Sequence, residues 1–249
     1  MKNRYFREFK KTFSIVYFLL VLVGTQHSAR ALELERINVG AAISVGDGFD
    51  QSISRISGKG FQIGAAWRLT KGFYVVLESK HLYNTIDQKD AIVHWDWAYW
   101  LKIYGYVVYL AENDSIYNVE INPKQTLKTK PVMLAVQKEF SVTENIGLSV
   151  SAGMGITWYQ RQLFLEETWR KYFASIDYDY KYDFRNYADS RKGLVFNIQP
   201  SLAVSRRISD ALSLSLGADY VYYIRNRRDA RYFPMKNAWN GFLNIQFLY

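Results

Sequence analysis

Between residues 146 and 158 every second side chain is apolar and every other one is small or polar, and this strict alternation limits what the chain can become. Ile146, Leu148, Val150, Ala152, Met154, Ile156 and Trp158 form one set; Gly147, Ser149, Ser151, Gly153, Gly155 and Thr157 form the other. A period of two marks a strand whose faces meet different surroundings. Segment 212–225 repeats it, with Leu212, Leu214, Leu216, Ala218, Tyr220 and Tyr222 against Ser213, Ser215, Gly217 and Asp219. The alternation also runs through 37–45, 61–69, 73–80, 132–142 and 194–208, and ends in Leu243, Ile245, Phe247 and Tyr249.

A water-facing sandwich alternates too, so the second face decides. A solvated face is rich in Lys and Glu, whereas this one is largely Gly, Ser, Ala, Asn and Gln with isolated charges, which suits a crowded barrel lumen. Aromatic residues collect toward the ends of the apolar face (Phe73, Trp158, Tyr220, Tyr222, Phe247), where interfacial girdles belong. The expected fold class is all-β: a transmembrane antiparallel up-and-down β-barrel. A secreted sandwich or lipocalin-like barrel is the competing reading.

The first 31 residues read as an export signal rather than as part of the fold. A basic stretch (1–11) precedes twelve apolar residues (12–23), and Ala29-Arg30-Ala31 is a cleavage pattern, so a mature chain of 32–249 is expected. Twelve residues make about 18 Å of helix, short of the roughly 30 Å needed to anchor in a bilayer. These 31 residues hold six basic side chains and one acid, so removing them takes the net charge from +9 to +4. A strongly basic nucleic-acid binder loses most of its support. The chain has no cysteine, which excludes disulfides and thiolate metal sites.

Short polar turns at 70–72, 143–145 and 209–211 alternate with long connections at 46–58, 84–130, 159–192 and 226–238. Barrels of this class place short turns in the periplasm and long loops outside, which puts both ends on the periplasmic side and requires an even strand count. Eight strands fit, at about 36–46, 59–69, 73–83, 131–142, 146–158, 193–208, 211–225 and 239–249. Ten is the alternative, because 101–109 and 117–121 also carry alternating apolar residues. Residues 117–121 fall short of the roughly 9–11 residues a spanning strand needs, and Pro123 follows at once.

The run Gly241-Phe242-Leu243-Asn244-Ile245-Gln246-Phe247-Leu248-Tyr249 resembles the β-signal of bacterial outer-membrane proteins, with Gly241, Leu243, Ile245, Phe247 and Tyr249 at its characteristic positions. That resemblance implies recognition by the barrel assembly machinery. The order of elements is similar to the small OmpA/OmpX-like and OmpW-like barrels. It looks still more like the PorT-type outer-membrane barrels, through Gly60-Phe61-Gln62-Ile63-Gly64 in the first periplasmic hairpin and Lys130-Pro131-Val132-Met133-Leu134 at a strand start. The likeness implies an outer-membrane location. With no domain expected after the last strand, the peptidoglycan-binding module of full-length OmpA-like proteins is not expected.

Parity points Arg68, Glu78, Lys80, Glu139, Arg207, Asp219 and Arg225 into the lumen. Charges confined there must pair, so they are expected to form a polar network plugging a closed barrel; a narrow pore for small solutes is the alternative. His81 and Ser79 share the lipid-facing parity, an arrangement similar to lipid A deacylases, but in reversed order and with no carboxylate to orient them. His94 and Asp96 lie in the aromatic stretch 93–100, where Trp95, Trp97 and Trp100 are expected at headgroup depth; an omptin-like Asp/His couple is the sharper alternative.

The last outer loop carries Arg225, Arg227, Arg228 and Arg231, candidate contacts for lipopolysaccharide phosphates. Residues 178–184 read as a strand extension above the membrane and a candidate adhesion surface. No Gly-rich phosphate loop, EF-hand, HExxH or GxSxG pattern is present, so no cofactor, metal or catalytic residue is assigned. The expected function is non-enzymatic, either structural in the envelope or interactive through the outer loops. A lipid A-modifying enzyme and an accessory barrel of a secretion machine are the remaining alternatives.

Overall fold

A computed structural model describes residues 33–225 and 232–249. The segment expected to direct export and most of the basic last loop lie outside the described residues. Nine strands follow the chain: β1 (Glu33–Gly48), β2 (Ile53–Thr70), β3 (Phe73–Gln88), β4 (Tyr117–Ser141), β5 (Ile146–Phe173), β6 (Tyr178–Tyr187), β7 (Arg191–Ser209), β8 (Leu212–Ile224) and β9 (Met235–Leu248). Eight of them close a ring in which β1 pairs β9 and β4 pairs β5, while β6 pairs only with the upper end of β5. The barrel is therefore eight-stranded with one non-spanning strand, and the ten-stranded alternative is set aside.

Short turns arise where the strands need them. Gly72 adopts φ +73, a left-handed conformation that glycine takes without strain, and closes the β2–β3 hairpin. Inside the ring, small residues make room for larger ones: a Cβ at Gly217 would meet the Phe242 ring at 2.4 Å. Proline leaves its mark on pairing. The β3–β4 register is interrupted between Ser79↔Val132 and Leu82↔Thr129, beside Pro131, and the β7–β8 register between Ile198↔Tyr222 and Ser201↔Asp219, beside Pro200. A residue without N–H cannot serve the ladder there.

The strands run well beyond the bilayer. β4 has 25 residues and β5 has 28, against the roughly 9–11 a tilted spanning strand requires. The first outer connection is accordingly a tight turn at 49–52 rather than a long loop. Residues 117–121 are the upper end of β4, which continues through Pro123. On that stretch β4 pairs with β5 alone, because its register with β3 ends at Ile86↔Gln125, so Pro123 lies on an edge.

Trp158 marks a reversal of polarity on β5. Below it the outward residues are apolar and the inward ones small or polar. Above it the buried, inward set is Tyr159, Arg161, Leu163, Leu165, Glu167 and Trp169, and the outward set includes Gln160, Gln162, Glu166, Thr168 and Arg170. The lower half is built for lipid outside and polar contents inside, the upper half for water outside and an apolar core within. Exposed Phe61, Tyr83, Trp158, Phe196, Tyr222 and Trp239 belong to the upper end of the lipid-facing wall, and Phe73, Phe140, Phe247 and Tyr249 to the lower.

The β3–β4 connection folds as α1 (Ala91–Trp95), a π-helical turn (Trp100–Tyr104) and α2 (Gly105–Glu112). The sequence reading held 101–109 open as strand. A run apolar in both parities does not separate strand from helix, and here the helix forms with Val108 alone buried in α2.

Candidate functional site

The lumen holds its charges at separate levels. At the periplasmic end Arg36 Nη1 donates to Glu139 at 2.7 Å, and its guanidinium lies 4.8 Å from the Tyr74 ring. Arg68 pairs with Glu35 at the mouth. In the middle Lys80 donates to Asp219 and stands 3.0 Å from Glu78; the Lys80 and Asp219 side chains are 1% and 0% exposed. Asn240 donates to the other Asp219 oxygen at 2.6 Å, and Gln62 donates to Asn244 at 2.7 Å. A cavity of about 50 Å³ beside Asn38, Glu78, Gln199, Ser201, Ser215 and Asn244 has room for only a few water-sized molecules.

Of the seven residues expected to form one lumen network, the structure joins only Glu78, Lys80 and Asp219. Glu139 and Arg68 belong to two pairs nearer the periplasm. Two expectations need correction. Arg207 is exposed beside the β7–β8 turn, because the strand has left the lumen there. Arg225 reaches the extracellular cap, above the mid-lumen charges, where it lies 5.0 Å from the Phe49 ring. Arg227, Arg228 and Arg231 lie outside the described residues. The C-terminal Leu243, Ile245 and Phe247 are exposed on the lipid-facing wall of β9, and Gly241 pairs with Ile43 and Ala218.

Above the polar lumen an apolar cluster fills the barrel. Ile56, Leu127, Val195, Phe233 and Met235 are all at or below 1% exposure, with Tyr159 and Tyr223 packed on Phe233 at 5.0 and 4.7 Å. Over this cap sits a cationic layer that the sequence reading missed. Buried Arg161 donates to Gln125 at 2.9 Å and Gln88 at 2.8 Å, and Trp95 lies between Arg161 (5.1 Å) and Arg191 (4.4 Å). Burial, with neighbouring Arg191, lowers the Arg161 guanidinium to about 10, so it stays charged at neutral pH.

Trp95 is thus not at headgroup depth. It packs with Ala91, Leu163 and Ala188 over the barrel mouth, because α1 turns it inward. Higher still, Glu167, 2% exposed, accepts from Tyr104 at 2.7 Å and Trp169 at 3.0 Å. Burial and that bond raise the Tyr104 hydroxyl pKa. His94 lies 3.4 Å from Asp50, not against Asp96. His81 stacks on Tyr83 (4.9 Å) and meets Phe61 at a tilt (5.3 Å).

A closed ring with an apolar outer wall and a paired, polar interior defines a transmembrane β-barrel, since every backbone group in the lipid zone must be satisfied by a neighbouring strand. No family model matches the chain, and no curated protein matches it. Among solved structures it is similar to Ail, the attachment invasion locus protein of Yersinia pestis, in complex with the heparin analogue sucrose octasulfate (8% identity, 88% of this chain and 100% of that chain, TM-score 0.45). It is also similar to Neisserial surface protein A (10% identity, 86% and 96%, TM-score 0.45) and to OprG from Pseudomonas aeruginosa (8% identity, 89% and 99%, TM-score 0.44). The fold assignment rests on the ring of strands itself.

Proposed function

We propose that this protein is an integral outer-membrane barrel, exported by residues 1–31 and folded by the barrel assembly machinery through its last strand, that anchors an extracellular interaction platform and neither conducts nor catalyses. The observation that carries this reading is the closure of the lumen twice over. Lys80, Glu78 and Asp219 cross its middle, and the apolar cluster around Phe233 seals its upper end. A small barrel has room for side chains and little else.

What stands above the seal is exposed and sticky. Leu101, Ile103, Tyr106, Tyr109 and Leu110 of the helical connection, and Tyr178, Tyr180 and Tyr182 of β6, are solvent-exposed. Tyrosine and large apolar side chains are frequent anchors of protein contacts. Planar-bilayer recording of the refolded protein is expected to show no discrete conductance; a reproducible open level would reject the sealed barrel. His81 packs against the Tyr83 and Phe61 rings, so His81→Ala is expected to leave the lipid A mass spectrum of an overexpressing strain unchanged. A lost or gained acyl chain that depends on His81 would reinstate the enzyme.

A further inference from the structure

At the upper edge of the lipid-facing wall, lysines of β2 and β4 flank the aromatic outer face of β3. Register places Lys59 of β2 opposite Tyr83 of β3, and Tyr83 opposite Lys128 of β4; Lys130, two residues down β4, stands opposite Trp158. All three lysines are exposed, and Lys128 Nζ lies 5.6 Å from the Tyr83 ring. Between them the rings of Phe61, His81 and Tyr83 form a continuous row, with His81 stacked on Tyr83 and tilted against Phe61. Among the described residues none of the three lysines has an ion-pair partner. On the opposite arc β8, β9 and β1 present Tyr222, Asn237 and Asp47 in register, with exposed Lys236 next to Asn237 on β9.

Directly below the lysines the outward residues are Ile63, Val132, Leu134 and Ile156. A ligand touching both zones must be anionic at the top and hydrocarbon below. Lysine stems lie along apolar rings while their ammonium groups reach the headgroup layer. We propose that this ledge, Lys59, Lys128 and Lys130 around the row of Phe61, His81 and Tyr83 rings, docks the phosphorylated headgroup of an outer-leaflet glycolipid whose acyl chains lie on the wall beneath. The proposal rests on the outer-membrane reading. It moves the lipid contact from the last loop to the β2–β4 wall.

The test uses the full mature chain refolded in an uncharged detergent, with bis-phosphorylated lipid A, its dephosphorylated form and inorganic phosphate as probes, read by native mass spectrometry. Each single Lys→Gln variant is expected to weaken lipid A binding about fivefold, and K59Q/K128Q/K130Q about a hundredfold. K59R/K128R/K130R keeps the charge and is expected to retain binding, and the dephosphorylated lipid to bind as weakly as the triple Gln variant does lipid A. Salt should weaken the phosphorylated complex. Equal binding by wild type and every Gln variant, or equal binding of the two lipids, overturns the proposal. So does displacement of lipid A by an equal concentration of inorganic phosphate, which would make the ledge a site for free phosphate. A wild-type protein with heat-modifiable gel migration that ignores lipid A overturns this proposal alone; one that never acquires that migration overturns the membrane reading as well.

Discussion

Replacing Lys80 with methionine is expected to destabilise the barrel by about 3–5 kcal/mol, the usual cost of removing one partner from a buried ion pair. Lys80 is the one cation touching both Glu78 and Asp219 among the described residues, and it is almost completely shielded from solvent. Its loss leaves two carboxylates facing each other in a confined space, with Asn240 and Gln199 as the remaining donors. The measurement is the urea midpoint for loss of the heat-modifiable band in detergent. A second variant, Lys80→Met with Glu78→Gln and Asp219→Asn, removes the stranded charges and is expected to recover most of the stability. If Lys80→Met unfolded at the wild-type midpoint, the mid-lumen network would have no structural weight.

Phe233→Ala carries the other large effect, and its distinguishing mark is where the damage falls. Phe233 is 1% exposed and bridges Tyr159 and Tyr223 in the extracellular cap, so truncation to alanine is expected to cost the cap about 3–5 kcal/mol. The lipid-spanning part of the ring lies below that cluster and keeps its own cross-strand bonds. Amide exchange of the upper ends of β2, β5 and β8 should therefore quicken, and the outer connections should be cut faster by added protease, while heat-modifiable migration persists. Uniform loss of protection along all eight strands would show that cap and membrane segment unfold as one unit.

The membrane-spanning strands were legible because lipid on one side and a crowded lumen on the other impose a two-residue rhythm that residues 146–158 and 212–222 display without interruption. The extracellular half was not, because the same rhythm continues there with its meaning reversed. Past Trp158 the inward parity turns from Ser and Gly to Tyr159, Leu163 and Leu165, and a reading that follows polarity alone loses the strand at that step. Arg161 was missed for this reason, although it keeps the inward parity of Thr157. Arg36 was missed at a strand start, although it shares parity with Asn38 and Ser44. The mid-lumen trio was found because three of the charges on inward parity happen to lie at one level; which others joined them depended on strand offset, which composition and period do not encode.

The length of β5 beyond Trp158 also sets a reach. Fifteen further residues to Phe173, at about 3.3 Å each and with the roughly 40° lean common to such strands, lift the hairpin tip some 35–40 Å over the lipid phosphates. Antiparallel pairing with β4 and β6 makes that projection a stiff mast rather than a tether. Its exposed tyrosines are thereby held at a fixed height above the bilayer rather than on a swinging loop.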